Sequence, residues 1–400
     1  MAIELSSLTF TNQADIVPPS GVEPILNTGI ANSLAGNDII TGTWTIISDF
    51  YISKPGYIIG GISGFYNMGT LNTADGNDII TGIIQNQDLA GYFSAALYNE
   101  DTIDTGDGND VITGSHNENV ETPFENGYGL YNIGTIDTGN GNDTVTGITN
   151  LGGGLANYSS NSIITGNGND RITGIGTTGI AVSDGGQIDT GNDNDIITGT
   201  GIAGLQNTYA TITTGNGNDI ITGAGTSDRG ILNLSFVTKT ILRIRGVIST
   251  GDGNDIITGI STDNNGIDNS VGFSIIDTGE GNDVITGIGR IGIYNEGTIN
   301  TGNGEDSIIT DGGFDGTGSV FLGNGKDYLK GFGKGNFNGG NDKDTLELTS
   351  GSYTVGISGT AVNFTKGNSV MNTSDFEILI AGNTIYNFAS LTNGQTISIA

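Results

Sequence analysis

The sequence predicts an all-β chain wound as a right-handed parallel β-solenoid, closed by a small β-rich C-terminal cap. Three observations predict this. A single phrase, T-G-N-G-N-D-I-I-T-G, recurs from residue 36 to residue 310, and a repeat of 20–50 residues is the mark of stacked architectures. The apolar positions of the phrase form short β-branched runs bounded by glycine, which read as strands. Glycine supplies 71 of the 400 residues and proline only five, a balance that separates the chain from collagen and from proline-rich linkers.

Residues 1–24 precede the first full repeat and are expected to form an N-terminal cap or arm. Residues 25–345 carry the repeat. Its aspartates are Asp38, Asp78, Asp110, Asp143, Asp170, Asp195, Asp219, Asp255, Asp283 and Asp306, and the shortest units run 23 to 25 residues. Two residues beyond each aspartate lies a β-branched residue, such as Ile80, Val145 or Ile257. The residue between them varies, including Arg171 and Ser307, as an outward position would. A second aliphatic, such as Leu71, Ile136 or Ile276, precedes each turn. Each run is too short to bury a core alone, so the copies must stack, giving two or three strands per coil.

Upstream, Asn27, Asn67, Asn99, Asn132 and Asn295 precede their aspartates by a constant 11 residues, which suggests an amide ladder. Asn157, Asn207, Asn233 and Asn269 repeat the feature at looser offsets.

The turn has its own chemistry. Glycine permits positive φ and leaves carbonyls unobstructed, and Ca²⁺ takes six to eight hard oxygen ligands. One aspartate per coil, with carbonyls of Gly106, Gly108, Gly139, Gly141, Gly166, Gly168, Gly215, Gly217, Gly251, Gly253, Gly279 and Gly281, supplies such oxygens. The charge is consistent: 43 acids against 12 bases give −31. Aspartates stacked ~5 Å apart would repel by roughly 3 kcal/mol per pair at an effective dielectric of about 20. About ten Ca²⁺ would offset most of that charge. The opposing reading is that asparagine and aspartate serve turn geometry alone, without metal.

The segment from Thr278 to Thr286, T-G-E-G-N-D-V-I-T, resembles the nonapeptide of the RTX (repeats-in-toxin) family, G-G-x-G-x-D-x-U-x. The resemblance covers most of residues 36–347. It implies a β-roll in which the glycine-rich half binds calcium and the remainder is strand. Threonine usually replaces the first glycine, and one motif recurs per 23 to 25 residues rather than two per 18, so a single file of ions is expected. Asp193 and Ala74 replace glycines, and altered sites are expected there. Near Asp327 and Asp344 the phrases tighten toward the family spacing.

The insertions are less informative. Trp44 and Pro55 fall in a first insertion, expected to be a capping loop. His116 lies in residues 115–128, a polar insertion in which solvation is the expectation. Lys239, Arg243 and Arg245 fall within residues 234–247, expected to be an added strand pair. Asp104, Asp137, Asp189 and Asp277 suggest a solvated ladder.

Residues 346–400 alternate apolar and polar, as a β-rich cap over an open edge would. They are also similar to the C-terminal regions of RTX proteins, which implies an uncleaved signal read by a type I secretion apparatus. The first residues show no basic stretch leading into an apolar run, so no cleavable signal is expected there.

So acidic a chain excludes nucleic acid as a partner, no apolar run is long enough to span a membrane, and cysteine is absent. No nucleophile–base pairing, histidine cluster or phosphate loop is visible, so the chain is expected not to be an enzyme. The reading is therefore a secreted calcium-binding structural protein of the cell surface or extracellular matrix, with head-to-tail self-association into filaments. A calcium-dependent adhesin or toxin-like effector, acting through the insertions, is the alternative. A repeat-fold polysaccharide lyase is a third.

Overall fold

A computed structural model describes residues 2–18, 23–44, 52–54, 57–59, 61–85, 93–117, 127–237 and 243–400. Pro55, Lys239 and most of the insertion at 115–128 lie outside the described residues. The chain forms two compact units, Met1–Gln206 and Asn207–Ala400. Each is a parallel β-solenoid whose coils contribute to three sheets.

One coil of the first unit shows why the sequence winds this way. The strand Gly127–Asn132 ends in the conserved-length turn before Thr135–Asp137. The glycine-rich turn follows, then Thr144–Thr149. The next coil repeats the order with Gly153–Tyr158, Ser162–Ile164 and Arg171–Ile175. Like residues stack in parallel register: Leu130 on Leu155, Ile136 on Ile163 and Val145 on Ile172. All six are fully buried, so each sheet contributes one apolar column to the core. The position after the aspartate points outward, as expected: Arg171 and Ile79 are exposed. The three sheets are here called the amide sheet, the short sheet and the aspartate sheet, in the order the coil visits them.

The N-terminal segment starts the winding. Ile3–Glu4 pairs in parallel with the strand at Ile25, and Ile16–Val17 pairs with the strand at Ile39. Trp44, expected in a capping loop, is instead the last residue of the strand Ile39–Trp44. It is buried against Ile84 and Ala96. His116, expected to be solvated, lies on the strand Val111–Asn117 with 1% of its surface exposed. The strand's alternation turns that side chain inward, an effect that the polar composition of the insertion hid.

In the second unit the same three-sheet plan runs through Ile256–Ser261, Asn265–Ser270 and Ile275–Asp277 and onward. At 234–247, Phe236–Val237 and Arg243–Ile244 pair antiparallel, the added strand pair that the sequence suggested. Parallel pairing continues past residue 345, with Leu346 on Leu379 and Asn336 on Asn372. Antiparallel strands enter from Gly351–Ser358, which pairs with Ala361–Lys366 and with Thr396–Ile399. No helix among the described residues is long and apolar enough to cross a membrane.

Candidate functional site

The turn preceding the aspartate sheet is built by contacts between neighbouring coils. Position by position, the phrase T-G-N-G-N-D has separate duties. The second glycine is obligatory: Gly141 has φ +147°, and a Cβ there would sit 1.3 Å from the carbonyl oxygen of Gly108. The same approach recurs between Gly168 and Gly141, Gly253 and Gly217, and Gly281 and Gly253. The first glycines, including Gly106, Gly139, Gly166, Gly215, Gly251 and Gly279, stack in the same fashion. The carbonyls of Gly166, Gly251 and Gly279 each accept the next coil's N–H, from Asn192, Glu280 and Asn303. The second asparagine caps its neighbour, with Asn109 Oδ1 accepting from the N–H of Asn142 at 2.7 Å.

The aspartates lie on the inner side of this turn. Asp38, Asp78, Asp110, Asp143, Asp170, Asp195, Asp219, Asp255, Asp283, Asp306, Asp327 and Asp344 are all buried, at 0 or 1% exposure. From Asp38 to Asp195, and again from Asp219 to Asp344, each Oδ1 after the first takes the backbone N–H of the preceding aspartate. Asp78 binds the N–H of Asp38 at 2.7 Å, Asp170 that of Asp143 at 2.8 Å, and Asp255 that of Asp219 at 2.8 Å. The ladder passes unbroken through the substituted turns, because Ala74 and Asp193 take positive φ themselves, +58° and +81°. Asp15 donates its N–H to Asp38, and Glu377 Oε2 accepts from Asp344. Glu377 was not foreseen, since no phrase surrounds it.

The second carboxylate oxygen is the unbalanced group. Thr138 Oγ1 donates to Asp143 Oδ2 at 2.6 Å. In Asp78, Asp110, Asp170, Asp255, Asp283 and Asp306, Oδ2 is buried without a hydrogen bond. There the threonine that opens the motif lies beside the carboxylate, and its hydroxyl favours the charged form. That threonine is fully buried at Thr73, Thr105, Thr138, Thr165, Thr250, Thr278 and Thr301. Its recurrence in place of the family's glycine was the available signal for its role.

Burial dominates the electrostatics. It pushes Asp78, Asp283 and Asp327 up to about 6, and Asp110, Asp170, Asp306 and Asp344 up to about 7. Neighbouring carboxylates add to the rise, while the N–H bond opposes it. Asp143 and Asp255 are raised for the same leading reason.

The outer acids behave differently. Asp104 and Asp137 are half-buried and accept the N–H of Gly106 and Gly139, so they close the turn's entry.

Tested against calcium, the donors fit in kind and fall short in number. Each coil offers a buried carboxylate oxygen and a threonine hydroxyl, both hard donors. The second-glycine carbonyls, such as that of Gly141, lie against the Cα of the next glycine. Among the described residues, no group of three acidic or histidine side chains converges as a metal site. Fold and turn together define a parallel β-solenoid carrying a buried aspartate ladder. No protein-family model matches the chain, and no curated protein matches it significantly. The likeness to RTX proteins therefore rests on the residues of the phrase.

Proposed function

We propose that the chain is a secreted calcium-binding structural protein of the cell surface or extracellular matrix, of the RTX type. The observation that carries the reading is a buried carboxylate in every coil whose second oxygen has no donor in most coils. A column of like charge in a low-dielectric interior needs counter-charge, and a divalent cation with a preference for oxygen supplies it. Asp143, Asp170 and their counterparts would give the carboxylate oxygens, with threonine hydroxyls such as those of Thr138 and Thr165 beside them. The ion's contribution is to neutralise the ladder and join adjacent turns.

On this reading the ions are bound only by the folded chain, so folding follows calcium by mass action. A chain kept extended at low calcium suits a type I channel, and one folding outside at millimolar calcium suits a surface role. Head-to-tail contact between the solenoid ends of separate chains is a heterologous, open-ended contact, and filaments are its expected product.

The test is elemental analysis of the dialysed protein beside circular dichroism in EDTA. About ten bound Ca²⁺ per chain and loss of the β signal on chelation are expected. Two ions or fewer, or full β structure in EDTA, would sink the reading.

A further inference from the structure

In the second unit the outward row of the short sheet begins polar, with Thr213 beside Ser249, Ser249 beside Asp277 and Asp277 beside Asn300. The next coil breaks the row. Phe321 pairs with Asn300 and is 43% exposed. Beyond it the row returns to Asn338 and Ser374. An exposed aromatic ring in a row of amides and hydroxyls has no part in the core, whose inward column here is Val320, Phe337 and Thr373.

Phe321 borders a groove of about 270 Å³. The neighbouring outward row supplies Asn336 and Asn372, and Ala361 at the start of a hairpin strand forms the far wall. None of the lining side chains is charged, in a chain of net charge −31. The amides are held in place. Asn338 Nδ2 donates to Ser374 Oγ at 2.9 Å and to Asp375 Oδ2 at 2.7 Å. Both of its amide protons are thereby engaged, and Oδ1 remains as an acceptor. Asn372 Nδ2 donates to Asn336 Oδ1 at 3.2 Å.

We propose that this groove binds one ring of a neutral saccharide. The apolar C–H face of the ring would stack on Phe321, and its hydroxyls would exchange hydrogen bonds with the amides of Asn336, Asn338 and Asn372. Other ligand classes fit the lining poorly. An anion finds no base, and a cation finds no carboxylate among the lining residues. A wholly apolar ligand would cover amides without satisfying them, which is unfavourable. A sugar ring presents both surfaces at once. At about 270 Å³ the groove is just below the usual size range for small-molecule sites, about 300–1,000 Å³, which suits a single ring. The inference does not depend on calcium being the ladder's counter-ion.

The full chain in millimolar calcium would be titrated with cellotetraose and with maltotetraose, read by calorimetry and by saturation transfer to the sugar protons. Binding of at least one sugar is expected. Phe321→Asn installs the residue type of the neighbouring coils, so it preserves the fold, with circular dichroism as the check. That variant should bind about tenfold more weakly, and Asn372→Ala several-fold more weakly. No binding of either sugar up to about 10 mM, or equal affinity in Phe321→Asn, would overturn the proposal.

Discussion

Two buried ladders run through the coils, and they solve the same stacking problem with different chemistry. In the amide ladder, Asn27 Nδ2 donates to Asn67 Oδ1 at 2.8 Å, and Asn67, Asn99 and Asn132 pass the contact on at the same distance. Each amide also donates to a backbone carbonyl, as Asn99 does to Thr135 at 2.9 Å. A second series runs from Asn207 through Asn233 and Asn269 to Asn295. An amide carries both donor and acceptor, so the column satisfies itself except at the first oxygen of each series, on Asn27 and Asn207. A carboxylate only accepts. The aspartate ladder therefore satisfies the backbone but not its own second oxygen. In-register repetition is self-sufficient for a neutral bifunctional group and leaves an anionic one dependent on something external.

The largest expected contrast comes from acid. Each raised aspartate has a folded pKa above the 3.8 of its unfolded form. Its protonation therefore favours the fold. That contribution is full below about pH 4 and drains away as pH rises through about 6 to 7. In EDTA the β signal lost at pH 8 should return on acidification to pH 5, against the usual acid trend. A β signal in EDTA that stays absent at pH 5 would show that protonation of the ladder does not replace the counter-charge.

Exchanging the two chemistries is the next largest effect. Asn132→Asp removes the donor to Asn157 and buries a charge, and should cost about 3–5 kcal/mol in millimolar calcium. Asp170→Asn keeps an acceptor for the N–H of Asp143 while removing a charge. Its β signal should survive to a lower calcium concentration than that of the parent chain, and elemental analysis should show one or two fewer ions. Equal losses of stability in both variants would erase the distinction.

The smallest effect isolates one hydroxyl. Thr138→Val removes the bond to Asp143 Oδ2 and should cost about 1 kcal/mol in urea unfolding at neutral pH. Because Thr138 favours the charged form of a carboxyl that burial raises, the cost should shrink as the pH falls. A pH-independent loss would assign it to packing instead.

Much of this was legible in the sequence because a repeat compares with itself. The β-branched residue two places after each aspartate had to face inward, and Val145 and Ile172 do. The loosely spaced Asn157, Asn233 and Asn269 join the same ladders as the evenly spaced ones. The chain length between them differs, but the strand register does not. Val182 interrupts the column by pairing with Asn157, which a search for asparagine alone passes over. The depth of the aspartates was not legible. A turn motif states which residues are present, and only the stacking of coils decides whether a carboxylate looks out at its neighbour's loop or inward. Glu377 was illegible for a related reason, since its place in the ladder is set by the fold alone.

The uneven spacing of the repeats has a practical meaning. Between the aspartate sheet and the next amide strand, the chain passes from Gln85 to Phe93 and from Asn117 to Gly127, while Thr149 reaches Gly153 in four steps. Registers on both sides of those longer passages are intact. The glycine-rich turn keeps one length throughout. In the first unit most of the variation in chain length thus falls at one corner of the coil, where added residues cost little loop entropy and disturb no stacked column, whereas the second unit's added strand pair enters between its amide and short sheets. That corner is the natural grafting point for foreign segments: a peptide spliced after Gln85 or Asn117 would be displayed without rewriting the scaffold that carries it.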